Sequence, residues 1–108
     1  MAKPRVKVPK TVFAGETITI KTLIRHRMDS GQHRDEEDNV IPRQIINRFT
    51  CEFNGAAVFS CDLFPSMATN PFFEFHCKVP EAGTFKFTWV DDNGDVTEAS
   101  RAIEIASN

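Results

Sequence analysis

The amino-acid sequence predicts an all-β protein, an antiparallel sandwich of about seven short strands. Apolar residues recur with a period of two in segment after segment, and no stretch carries the 3.6-residue stripe of a packed helix. Turn residues punctuate these segments, with Asn54-Gly55 and Asp92-Asn93-Gly94 the sharpest hairpin signals. The segment from Gly83 to Gly94 concentrates the aromatic bulk: Phe85, Phe87 and Trp89 fall on one face of a strand, with Lys86 and Thr88 on the other. A strand that buries two Phe and the only Trp belongs at the centre of the core.

Arg5-Val6-Lys7-Val8-Pro9 reads as a short edge strand, closed by a proline with no amide to donate. Phe13-Ala14-Gly15 is a turn. From Glu16 to Arg25, Ile18, Ile20 and Ile24 share one face and Thr17, Thr19, Lys21 and Arg25 the other, which leaves Leu23 as an apolar residue on a polar face. Met28 to Pro42, with Gly31, His33 and the acidic run Asp35-Glu36-Glu37-Asp38, reads as a long loop. Gln44 to Phe53 points Ile45, Phe49, Cys51 and Phe53 inward and Arg48, Thr50 and Glu52 outward.

After the Asn54-Gly55 turn, Ala57 to Leu63 sets Phe59, Cys61 and Leu63 on one face. Phe64 to Pro71 holds prolines at both its second and last positions and connects the sheets. Phe73, Phe75, Cys77 and Val79 form the next inward face, with Glu74, His76 and Lys78 outside. Pro80-Glu81-Ala82-Gly83 turns the chain into the Trp89 strand, and Asp95 to Ile105 closes the domain with Ile103 and Ile105 inward. The pattern is that of an immunoglobulin-like sandwich, a single domain over residues 1–108, and it leaves the strand order open.

A chain of 108 residues can bury a core without metals or disulfide staples. Its net charge of −2 supplies no basic field for nucleic acid or an acidic membrane surface. No apolar run approaches the roughly 20 residues of a membrane span. The opening Met-Ala-Lys-Pro-Arg-Val-Lys-Val-Pro lacks an apolar h-region, so the expectation is a chain with no signal peptide of its own. Three Cys is an odd number, which excludes a fully paired framework within one chain and by itself favours a reducing compartment.

No Ser/His/Asp constellation, phosphate-cradling glycine loop or paired-carboxylate motif is present, so no catalytic residue and no cofactor are expected. His26, His33 and His76 are scattered without a ligand pattern, and the acidic run lacks the spacing and central glycine of a calcium loop. Asp91, Asp92 and Asp95 surround a tight turn, where Asp and Asn bond their own backbone. Cys51, Cys61 and Cys77 lie on inward faces between aromatic neighbours, and no two stand at zinc-ligand spacing. The plainer reading is inert core thiols. The sharper one is a single exposed redox or partner-linking thiol, Cys51 or Cys61, which sit on paired strands near the hairpin.

Several stretches together resemble the Z-subunit (SoxZ) family of the sulfur-oxidation carrier complex SoxYZ. They are Lys3 to Pro9, Val40-Ile41-Pro42-Arg43, Ile45 to Gly55, Asn70-Pro71, and Gly83 to Gly94 with its Phe-Thr-Trp-Val-Asp-Asp-Asn-Gly core. The resemblance implies an immunoglobulin-like, non-catalytic subunit, not an enzyme. It would heterodimerise with a SoxY subunit that holds sulfur intermediates of thiosulfate oxidation on a cysteine in a Gly-Gly-Cys-Gly-Gly tail. It further implies transient encounters with a thiosulfate-linking cytochrome, a sulfate-releasing hydrolase and a sulfur dehydrogenase. It also implies periplasmic localisation by co-export with the signal-bearing partner, against the compartment the cysteine count favours. This chain ends Glu104-Ile105-Ala106-Ser107-Asn108, and glycine flanks none of its cysteines, so the carrier tail is not matched here. Leu23, Phe64, Met67 and Phe72 are the apolar residues least explained by an internal core and are the expected partner interface. The alternative is a stand-alone redox or sulfur-binding protein that uses its own cysteine.

Overall fold

A computed structural model describes residues 4–25, 31, 34, 36–40, 44–63 and 71–106. Eight strands are present among them: β1 (Pro4–Lys7), β2 (Thr11–Val12), β3 (Glu16–Ile24), β4 (Ile46–Phe53), β5 (Ala56–Asp62), β6 (Phe72–Val79), β7 (Gly83–Asp91) and β8 (Val96–Ile105). They form an immunoglobulin-like sandwich of two sheets, one ordered β1-β3-β6 and the other β2-β8-β7-β4-β5. The strand beyond the expected seven is β2, two residues that pair parallel with Glu104 and Ile105 of β8 and bury Val12. Two residues are too short to show a period, which is why alternation misses them.

The aromatic strand is central, as its composition demands. β7 lies between β8 and β4, and Phe85, Phe87 and Trp89 are all but inaccessible to solvent. Opposite Trp89 in the β4 register stands Phe49, the hub of the aromatic core. Its ring meets Trp89 at 5.1 Å, Phe73 at 4.8 Å, Phe59 at 6.0 Å, Phe75 at 6.3 Å and Phe87 at 6.4 Å between centroids. Phe59 and Phe75 stack at 4.5 Å, so β6 of the smaller sheet lies across β4 and β5 of the larger. Ile18, Ile20 and Ile24 fill the core from β3, as their period predicts.

One pair of neighbouring residues departs from simple alternation, and two in-period positions differ from expectation in polarity or depth. Ile45 and Ile46 are both buried because the β4–β7 register shifts between Ile46 and Arg48, and the irregularity turns two successive side chains inward. Thr22 points inward between the β3 isoleucines and is buried. Ile105, expected in the core, is only half-buried near the C-terminal end of β8; Ile103 is fully covered.

The hairpins behave as their residues require, with one correction. Asn54 (φ 51°) and Gly55 (φ 86°) both occupy the left-handed region, which a two-residue turn of this type needs to match strand twist. At Asp92-Asn93-Gly94 only Gly94 has positive φ, at 83°; Asn93 does not. The Asp91 carboxylate shapes that turn instead, accepting from the amides of Asn93 and Asp95, both at 2.9 Å. Within the expected loop, Arg34 bridges to Val40 and its guanidinium pairs with Asp38 at 3.6 Å.

Candidate docking face and cysteine environments

Two of the four nominated interface residues come together. Leu23 of β3 and Phe72 of β6 are register partners at one end of the smaller sheet, on the face turned away from the core. Leu23 is half-buried and Phe72 is 55% exposed, so the pair forms an apolar spot on an otherwise polar face that carries Lys21, Glu74, Thr19 and His76. The last four pair off locally: Lys21 Nζ lies 3.5 Å from Glu74, and Thr19 Oγ1 hydrogen-bonds His76 Nδ1 at 3.0 Å. Phe64 and Met67 lie outside the described residues, as do His26 and His33.

The three thiols are free and stand in different surroundings. Cys51 is completely buried on β4, flanked in register by Phe59 and Phe87. Burial foremost, then the neighbouring Cys77 and Glu52, push its thiol up to about 12. This corrects the nomination of Cys51 as a redox thiol: a proton held that tightly, behind the core, leaves almost no thiolate to react. Burial also raises Cys77, which is half-exposed on β6 with its Sγ donating to the Lys78 carbonyl at 3.5 Å. Cys61 is half-exposed on β5, the outer strand of the larger sheet, with its Sγ donating to the Asp62 carbonyl at 3.5 Å. Asp62 in turn pairs with Arg48 at 2.9 Å. Of the two nominated thiols, only Cys61 reaches solvent.

Alternation alone does not reveal the side of the sandwich where β5 and β6 end their sheets. Phe59, Phe73 and Phe75 pack against the core there but are only half-buried. The period correctly turns these rings inward, yet it cannot say that both strands are edges. On the other side, an open cleft of about 590 Å³ between the β1–β2 connection and β8 carries Lys7, Lys10, Arg101 and Glu104. These are exposed side chains on a shallow surface.

The acidic turn is structural. The Asp92 carboxylate accepts from the Ile45 amide at 3.1 Å and from Asn47 Nδ2 at 3.0 Å, and the Asp92 amide donates to the Ile45 carbonyl at 2.9 Å. It thereby ties the β7–β8 turn to the start of β4. Among the described residues no three His, Cys, Asp or Glu side chains cluster as metal ligands would. Among the described residues, the buried Thr22 Oγ1 and Trp89 Nε1 have no hydrogen-bond partner.

A family model described as "Sulphur oxidation protein SoxZ" matches residues 6–102. No curated protein sequence matches the chain. Among solved structures, a superoxide reductase (neelaredoxin) from Ignicoccus hospitalis is similar with a TM-score of 0.71 at 17% identity, over 95% of this chain and 80% of that one. The sulfur carrier protein SoxY from Chlorobium limicola f thiosulfatophilum is similar with a TM-score of 0.68 at 11% identity, over 96% of this chain and 79% of that one. At such identities the likenesses are of fold.

Proposed function

The chain belongs to the SoxZ family of sulfur-oxidation proteins, carrier subunits by family, and from that premise we propose that it is the non-catalytic half of a two-chain sulfur carrier. It heterodimerises with a SoxY subunit whose C-terminal cysteine carries the covalent sulfur intermediates of thiosulfate oxidation. The family match across residues 6–102 is the observation that carries this reading. Its support in the residues is chemical. The most enclosed thiol, Cys51, is pushed up to about 12, and the acidic turn spends its carboxylates on backbone amides. A subunit of this kind works by covering an apolar surface of its partner and holding docking surfaces beside the partner's mobile tail. The thiosulfate-linking cytochrome, the sulfate-releasing hydrolase and the sulfur dehydrogenase then meet the carrier in turn. The site of action is the periplasm, reached folded and bound to the signal-bearing partner.

We place the partner contact at the Leu23–Phe72 spot, where an exposed ring and a half-buried aliphatic side chain adjoin. Co-expression with a tagged SoxY subunit should co-purify this chain. Leu23→Ala and Phe72→Ala should each weaken the complex, by about 2 kcal/mol where the residue is a hot spot. Unchanged affinity in both variants sinks this placement, whereas failure of the unmodified chain to co-purify sinks the partnership itself. Export of this chain when the partner is absent would contradict the shared-signal route.

One observation favours a second reading, a stand-alone redox or sulfur-binding protein: Cys61 is half-exposed on an outer strand. A persistent sulfur adduct on Cys61, with none on the partner's tail, would select it.

A further inference from the structure

Among the described residues, four strands end the two sheets, and three of them are blunted against pairing with another chain. β1 has four residues, begins at Pro4, is followed by Pro9, and carries Arg5 and Lys7, so self-pairing would set cation against cation. β2 has two residues. On β5 the register with β4 shifts where Cys51 faces Phe59 but Glu52 faces Ala57, which leaves Val58 as an extra, bulged residue. β6 has no such device. Its eight residues contain no proline and keep an unbroken register with β3 from Phe72 to Val79.

The exposed main chain of β6 can be placed by alternation. The Ile24 amide donates to the Pro71 carbonyl at 3.3 Å, and the Gly15 amide donates to the Val79 carbonyl at 2.7 Å. The odd-numbered residues therefore bond to β3, and the backbone groups of Phe72, Glu74, His76 and Lys78 face outward along the free edge. The charges on that edge are self-complementary. If two copies run antiparallel with His76 opposite its counterpart, Glu74 of each stands across from Lys78 of the other. On the core side, the same register sets Phe75 across from Cys77 and Phe73 across from Val79. It covers the rings and the thiol that β6 leaves half-exposed in the single chain.

We propose that β6 is a self-pairing edge through which two copies of this chain join, antiparallel about His76, to make one continuous six-stranded sheet. The contact is isologous, so it closes at a dimer and does not propagate. Lys21 neighbours Glu74 and shares its charge at 3.5 Å, while Thr19 holds His76 from behind, so both side chains are already oriented on this face. The inference concerns the main-chain edge of β6, although its Glu74 and His76 side chains share the outer face with the Leu23–Phe72 spot.

The test is sedimentation equilibrium of the full chain over a concentration series at low salt. The mass should rise from 12.2 kDa toward twice that value. Lys78→Glu and Glu74→Lys should each raise the dissociation constant at least about tenfold, because each puts like charges directly opposite one another twice. The double variant Glu74→Lys/Lys78→Glu should restore part of the association over either single variant, since the swap recreates both cross-chain pairs while setting a second cation beside Lys21. Val58→Lys on the other long edge should change nothing. Alkylation of Cys77 should slow as the mass rises. A mass that stays at 12.2 kDa throughout overturns the proposal. So do single variants that associate like the unmodified chain, a double variant that stays dissociated, or association lost through Val58→Lys alone.

Discussion

In the folded chain, Cys51 should resist alkylation long after Cys61 has reacted. The perturbation is iodoacetamide at pH 8, and the magnitude follows from the core around β4. An ordinary thiol titrates near 9.0, whereas burial, with Cys77 and Glu52 adding to it, pushes Cys51 up to about 12. That difference alone leaves about a thousandfold less thiolate at the same pH. Complete burial removes access as well, so Cys51 should label only when the sandwich opens, while Cys61 reacts from the native state. The same shift has a thermodynamic consequence. An unfolded Cys51 gives up its proton near 9.0 and the folded one holds it to about 12, so above pH 9 the unfolded chain binds fewer protons. Stability should therefore be unaffected by this group below pH 9 and fall above it, by up to about 1.4 kcal/mol per pH unit. Timed quenching with peptide mapping gives the labelling order, and urea midpoints between pH 8 and 10 give the slope; Cys51→Ala should flatten that slope. Native-state labelling of Cys51 at the rate of Cys61 would refute the reasoning.

Phe49→Ala should cost about 3–5 kcal/mol in urea unfolding, because it removes the ring that five others touch; a loss under about 1 kcal/mol would mean that the hub is not where the rings place it. Gly83→Ala should cost about 0.5–1.5 kcal/mol by the same measurement. A Cβ there overlaps the exposed Asn54 side chain and displaces its Oδ1, which accepts from the Thr84 amide at 3.0 Å. Asp92→Ala should cost about 1–3 kcal/mol and expose the Ile45 amide to hydrogen exchange, since it removes the acceptor for that amide and for Asn47; unchanged protection at Ile45 would count against the tie.

Much of the fold is legible in the sequence because burial in a strand follows a period of two. Ile18, Ile20 and Ile24, and then Phe85, Phe87 and Trp89, are buried where their alternation puts them. Strand order is not legible, because an edge strand and a central strand can carry the same alternation. That is why Phe73, Phe75 and Cys77 read as core yet stand half-exposed. The burial of Ile46 depends on a register irregularity, and β2 on a tertiary pairing, neither of which a local pattern encodes. The Leu23–Phe72 apolar spot is half legible: Leu23 breaks the polarity of its face, but only the β3–β6 register shows that Phe72 stands beside it. For the thiols, alternation puts three cysteines inward, and only packing separates the sealed Cys51 from the accessible Cys61. The superoxide reductase and SoxY likenesses add that sequences at 17% and 11% identity reach similar folds, so function must be argued from family and site.

The central claim is that this chain supports sulfur chemistry carried by another chain. Intact-mass spectrometry of the reconstituted two-chain complex during thiosulfate turnover tests it most directly. The account predicts sulfur adducts on the partner's C-terminal cysteine and an unmodified mass for this chain. A turnover-dependent adduct on Cys61, with the partner's tail unmodified, would contradict it.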